Sequence, residues 1–140
     1  MFKKFAAALA FGLPVAALAS EAVVMTCESS VKSFFAPLVQ RHLIDTKPFT
    51  VDGNSVNYFR PKLFAGISAY GMPVTGILGY TDDPLLFVTK GTSPGDGYGV
   101  IVKETIANVQ AQLSSVGAVK ARTIRFDAHS TIIFCKGVTE

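Results

Sequence analysis

Cys27 and Cys135 are the only two cysteines in 140 residues, and they stand near opposite ends of the part of the chain that can fold. Two lone cysteines in a small domain join readily in an oxidising compartment. Closing a loop of about 100 residues removes chain entropy from the unfolded state, worth roughly 4 to 5 kcal/mol. Linked Cα atoms lie within about 7 Å of each other, so the bridge predicts first and last strands that are close neighbours. No CxxC pair and no nearby pair of histidines accompanies them, which makes a zinc site the poorer reading.

The start of the chain points to the same compartment. Met1 to Lys4 is short and basic, and Phe5 to Ala19 (FAAALAFGLPVAALA) is uncharged and apolar, broken by Gly12 and Pro14. The run ends in Ala17-Leu18-Ala19, the small-x-small pattern of a signal-peptidase site. It falls short of the roughly 20 apolar residues that span a bilayer. We read 1–19 as a cleaved export signal and 20–140 as one globular domain, periplasmic or secreted, with no stable membrane insertion after cleavage. No cysteine at the cut invites a lipid anchor. Subtracting Lys3 and Lys4 from the 13 basic residues leaves 11 against 10 acidic ones, a net charge of +1. A near-neutral domain lacks the footprint that phosphate backbones demand, which argues against nucleic acid as a partner. An apolar fraction of 49 % with 16 % charged residues excludes a disordered tail or a charge-laced coiled coil.

The mature chain reads as strand, helix, several strands, helix, two strands. This is an α+β pattern: an antiparallel sheet of about five to seven short strands with two helices packed on it. Residues 22–27 are rich in β-branched side chains and predict a strand. Ser29 and Ser30 then offer caps for a helix from Val31, with Val31, Phe34, Phe35, Leu38 and His42 on one face and Pro37 inside it. Strands are expected near 55–60, 62–70, 73–81 and 85–90, with bulges or bends at Gly66, Gly71, Gly76 and Gly79. Gly91 to Gly99 (GTSPGDGYG) reads as a loop. Val102, Ile106, Val109, Leu113 and Val116 step by four and three into an amphipathic helix, with Gly117 as its left-handed stop. A hairpin at 119–127 and 131–136 ends the fold, turning at Asp127-Ala128-His129-Ser130.

Catalytic signatures are weak. The glycine loop lacks both the Gly-Lys-Ser/Thr ending and the GxGxxG spacing of phosphate-binding loops. Asp127, His129 and Ser130 are neighbours in one turn, where a hydrolytic triad needs three side chains converging in space. Asp82-Asp83-Pro84 is turn chemistry, and no carboxylate pair is set in an apolar cleft. No cofactor and no metal is implied. The chain reads as binding rather than catalysing, as an inhibitor or immunity-type protein of the bacterial cell envelope that blocks a partner enzyme. Asp96 and Tyr98 in the glycine loop are the first choice for partner contact, and the aromatic middle segment around Tyr58, Tyr70 and Tyr80 is the second. Whether that segment, with Phe59, Phe64 and Met72, is core or exposed patch stays open. The alternatives are a periplasmic small-molecule or lipid carrier, and an enzyme of another type.

Overall fold

The computed structural model describes residues 22–138, so the export-signal reading falls on residues outside those described. The described residues form two helices and one mixed sheet of eight strands. In chain order these are β1 (Val24–Met25), α1 (Val31–Gln40), β2 (Thr50–Val51), β3 (Asn57–Phe59), β4 (Ser68–Ala69), β5 (Met72–Tyr80), β6 (Gly97–Val102), α2 (Ile106–Ser115), β7 (Arg122–Asp127) and β8 (Ser130–Lys136). The α+β expectation holds, except that the sheet is not purely antiparallel: β1 lies parallel to β4.

Nine-residue β5 organises the sheet. One of its edges pairs with β6, which pairs with β8, which pairs with β7. Its other edge is shared: β3 takes Ile77 to Gly79, and β4 takes Met72 and Pro73. Between those two partners a register shift falls at Val74/Gly76, the bulge that the glycine there foretells. The chain from Arg60 to Ile67 leaves the sheet at this gap and returns below it. Residues 62–67, expected as strand, are therefore an excursion.

The expected strand at 85–90 is also absent, for a specific reason. Buried Asn57 donates from Nδ2 to the Val88 carbonyl at 2.9 Å and accepts from the Val88 amide at 2.9 Å. Ser55 repeats the pattern at Lys90, donating at 3.0 Å and accepting at 2.8 Å. Side chains replace the backbone ladder, so the segment is pinned without becoming a strand.

Both helices carry hydroxyl N-caps, Ser30 for α1 and Thr105 for α2. Val102 belongs to β6, and α2 starts four residues later than the apolar stepping suggests. Val109 and Leu113 are its buried anchors, while Val116 is half exposed. Helix α1 ends with the His42 amide on the Val39 carbonyl and the Leu43 amide on the Leu38 carbonyl. His42 is the left-handed residue of this cap, at φ 54°, and is exposed rather than on the apolar face.

The Cys27–Cys135 disulfide forms, with Cα atoms 5.1 Å apart. The two strands it serves are not sheet neighbours, because β4, β5 and β6 intervene between β1 and β8. Instead the stretch after β1 crosses the helix-bearing face of the sheet. There Cys27 meets β8, and the Tyr98 hydroxyl on β6 donates to the Thr26 carbonyl at 2.6 Å while accepting from the Ser29 amide at 3.1 Å. Beneath this crossing lies the main core, where Phe34 stacks on Tyr98 at 4.6 Å and Phe35 meets Phe59 and Phe87 edge-on.

The opposite face carries a second buried cluster of Val56, Tyr58, Leu78, Ile101 and Ile132. Tyr58 on β3 and Phe126 on β7 are four inter-strand steps apart, about 19 Å in a flat sheet. Their ring centroids are 6.5 Å apart. The sheet therefore coils strongly around this face. Gly76 and Gly97 make room for it, since an added Cβ would strike Ile101 and Phe134.

Candidate functional site

The residues singled out from sequence do not gather at one surface. Tyr98 is fully buried in the second position of β6, not in a loop, and offers nothing to a partner. Only 91–96 of the expected loop is exposed connection; Gly97, Tyr98 and Gly99 pair with both β5 and β8. Asp96 is exposed at the loop's end, where its carbonyl accepts from the Gly137 amide.

Tyr58 and Tyr80 are core residues as well. Tyr58 donates to Asp52 Oδ2 at 2.8 Å, and burial, aided by that carboxylate, pushes its hydroxyl up to about 12. Burial likewise raises Tyr98 and half-buried Tyr70 above the usual phenol value. Tyr80 shares a hydrogen bond with Thr89 at 3.1 Å. The aromatic middle segment is thus mostly core, because Phe59, Met72 and Tyr80 complete the cluster under α1. Phe64 is the exception.

The turn reading of Asp127 to Ser130 agrees with the geometry: the His129 amide donates to Asp127 Oδ1 at 2.8 Å, closing a two-residue hairpin. Among the described residues no group of three or more His, Cys, Asp and Glu side chains is spaced to hold a metal ion. None of the described helices is long and apolar enough to cross a membrane.

Two surfaces stand out instead. The first is a groove of about 530 Å³ between α1 and the Thr81–Phe87 turn. Phe35, Val39, Leu86 and Phe87 line it, with Lys32 and Asp83 at its rim. Leu85 stands beside it at 96 % exposure. That turn is rigid: the Asp83 amide bonds the Thr81 carbonyl, the Leu86 and Phe87 amides bond the Asp83 carbonyl, and the Leu85 amide bonds Asp83 Oδ1. Asp83 explains the arrangement. Its carboxylate caps the turn that Pro84 begins, and Leu85 is left facing water.

The second surface is the 60–67 excursion, whose tip exposes Leu63 at 83 % and Phe64 at 95 %. Phe64 stands among the aromatic residues singled out from the sequence, whereas Leu63 and Leu85 do not. The available signal was the punctuation around them, Pro61 with Gly66 and Asp83 with Pro84, which marks apolar residues sitting in turns. No family model, curated protein or solved structure matches this chain.

Proposed function

We propose that this is an exported cell-envelope protein that acts by binding a partner protein, in the manner of an inhibitor or immunity protein, and that the groove beside α1 receives that partner. The observation that carries the reading is Leu85, an aliphatic side chain 96 % exposed on a rigid turn at the edge of an apolar trough. Burying one such leucine contributes about 1.5 to 3 kcal/mol to association. Because four hydrogen bonds already order the turn, little of that gain is lost to ordering. Lys32 and Asp83 at the rim supply charges of both signs to orient the partner. The disulfide supports an oxidising location, where such a bridge persists.

The test is a photoreactive side chain placed at position 85 and, separately, at position 93 in the exposed 91–96 loop, irradiated in the producing cells. The expected result is a protein adduct at 85 that is missing at 93. Adding the protein should then reduce the captured partner's activity, and Leu85→Asp should raise the concentration required at least tenfold, in line with loss of a central anchor. Identical adducts at both positions, or none at 85, would overturn the reading. A carrier role is the second reading, because the same groove has the size and apolar lining of a ligand pocket. A co-purifying apolar small molecule released by Phe87→Ala would favour it.

A further inference from the structure

The 60–67 excursion is held at its base and bare at its tip. The Asp45 amide bonds the Arg60 carbonyl at 2.9 Å, the Lys62 amide bonds the Leu43 carbonyl at 2.7 Å, and Ile44 bridges Pro61. At the tip the Ala65 amide closes the turn onto the Lys62 carbonyl at 3.1 Å, and Phe64 takes φ 61°. A bulky side chain in the left-handed region costs roughly 1 to 2 kcal/mol, so the scaffold holds this phenylalanine out in water against two penalties, strain and exposure.

Arg60 and Lys62, which lead into the tip, line a cleft of about 670 Å³ together with Lys47, and Asp45 is the one acid on its wall. Lys62 pairs with Asp45, which leaves Lys47 and Arg60 as the surplus charge. The Arg60 guanidinium sits 4.7 Å from the centroid of the half-exposed Phe49 ring. In residues 20–140, of net charge +1, this concentration of cations beginning two residues before Phe64, the most exposed aromatic among the described residues, is a local feature and not a consequence of composition.

We propose that this end of the molecule docks on an anionic phospholipid bilayer. Leu63 and Phe64 enter the boundary between headgroups and acyl chains, and Lys47, Arg60 and Lys62 hold the lipid phosphates at headgroup depth. A rigid convex wedge suits a bilayer, which yields around it. The basic cleft sits one residue behind the wedge, where the phosphates lie once the wedge is in. The guanidinium's planar fork matches a phosphate bidentately, while the two ammonium groups add point charges. Two inserted side chains and three cations, one of them shared with Asp45, make the attachment reversible and sensitive to salt. Nothing crosses the membrane. The basic cleft meets the α1 groove at Thr46, but the attachment rests on the 60–67 tip and its cations and not on the partner proposed for the groove.

The chain contains no tryptophan, which makes Phe64→Trp a unique optical reporter at the tip. The protein as purified from the producing cell is mixed with vesicles of phosphatidylglycerol and phosphatidylethanolamine, and in parallel with vesicles of phosphatidylcholine. The expected result is a blue shift of the tip emission and flotation with the anionic vesicles only, both reversed by high salt. Phe64→Asn keeps the left-handed backbone without the ring, and should weaken anionic-vesicle binding at least about tenfold at an unchanged melting temperature. Arg60→Gln and Lys47→Gln should each weaken it about fivefold. All variants carry the same amino terminus, so whatever it contributes is equal in each. Equal binding to both vesicle types, binding that survives Phe64→Asn, or binding indifferent to Arg60→Gln and Lys47→Gln would overturn the proposal. So would a tip that crosslinks to a protein while the vesicles show no shift.

Discussion

Two loops, 91–96 and 60–67, teach opposite lessons about what a recognition element looks like. The first is rich in glycine, exposed throughout and free of large apolar side chains; its one internal tie is the Gly95 amide on Ser93 Oγ. The second has a single glycine, is clamped at its base, and presents two large apolar side chains almost fully to water. Glycine measures how much entropy a loop loses on ordering, whereas contact needs side chains already held in place. Glycine content was legible in the sequence; which loop holds apolar side chains out in water was not.

The sharpest way to break this contrast is at Tyr98, which separates a loop ending at residue 96 from one ending at 99. Tyr98→Ala removes the ring stacked on Phe34 and the hydroxyl that ties down Thr26 and Ser29. It should cost about 3 to 5 kcal/mol in urea denaturation, the range for emptying a buried aromatic site. A loss below about 1 kcal/mol would return Tyr98 to the loop.

A paired glycine experiment has a smaller expected effect. Gly91 is at φ 68°, and an added Cβ would run into the Gly53 carbonyl oxygen. Gly91→Ala should therefore destabilise by more than about 2 kcal/mol, combining backbone strain with a clash. The reverse exchange at the other loop, Phe64→Gly, relieves strain where nothing is packed, and should leave stability unchanged or raise it by up to about 1 kcal/mol. Thermal melts of the two variants compare them directly. Similar losses in both would mean that the tip, too, is held by packing.

The smallest effect is alkaline. The Tyr58 hydroxyl is raised from 10.0 to about 12 in the folded state, so folding favours its neutral form. Its contribution is fully present below pH 10 and is lost as pH rises from there through 12. Stability of the native protein should fall more steeply over that window than stability of Tyr58→Phe, as followed by denaturation at fixed pH steps. Parallel slopes would show that the hydroxyl and Asp52 are not coupled to folding.

By itself the sequence determined the elements whose information is local. Ser30 before an apolar face starts α1, the stepping from Ile106 through Leu113 with Gly117 behind it yields α2, and the Asp127–Ser130 turn joins the last two strands. It also determined the pairing of Cys27 with Cys135, because two cysteines allow only one bridge. Tertiary structure decided what depends on distant neighbours. Whether 85–90 becomes a strand hangs on Asn57 and Ser55, some thirty residues earlier, occupying its hydrogen-bonding groups. Whether Tyr98 or Phe64 meets water hangs on how the sheet is shared at β5: β6 is enclosed between β5 and β8, while the gap between β3 and β4 ejects 60–67. The physical reason is the same in each case. Periodicity and capping act within a turn or two of the chain, but burial is a property of the whole packed surface, and an aromatic residue carries no local mark of which side of that surface it will occupy.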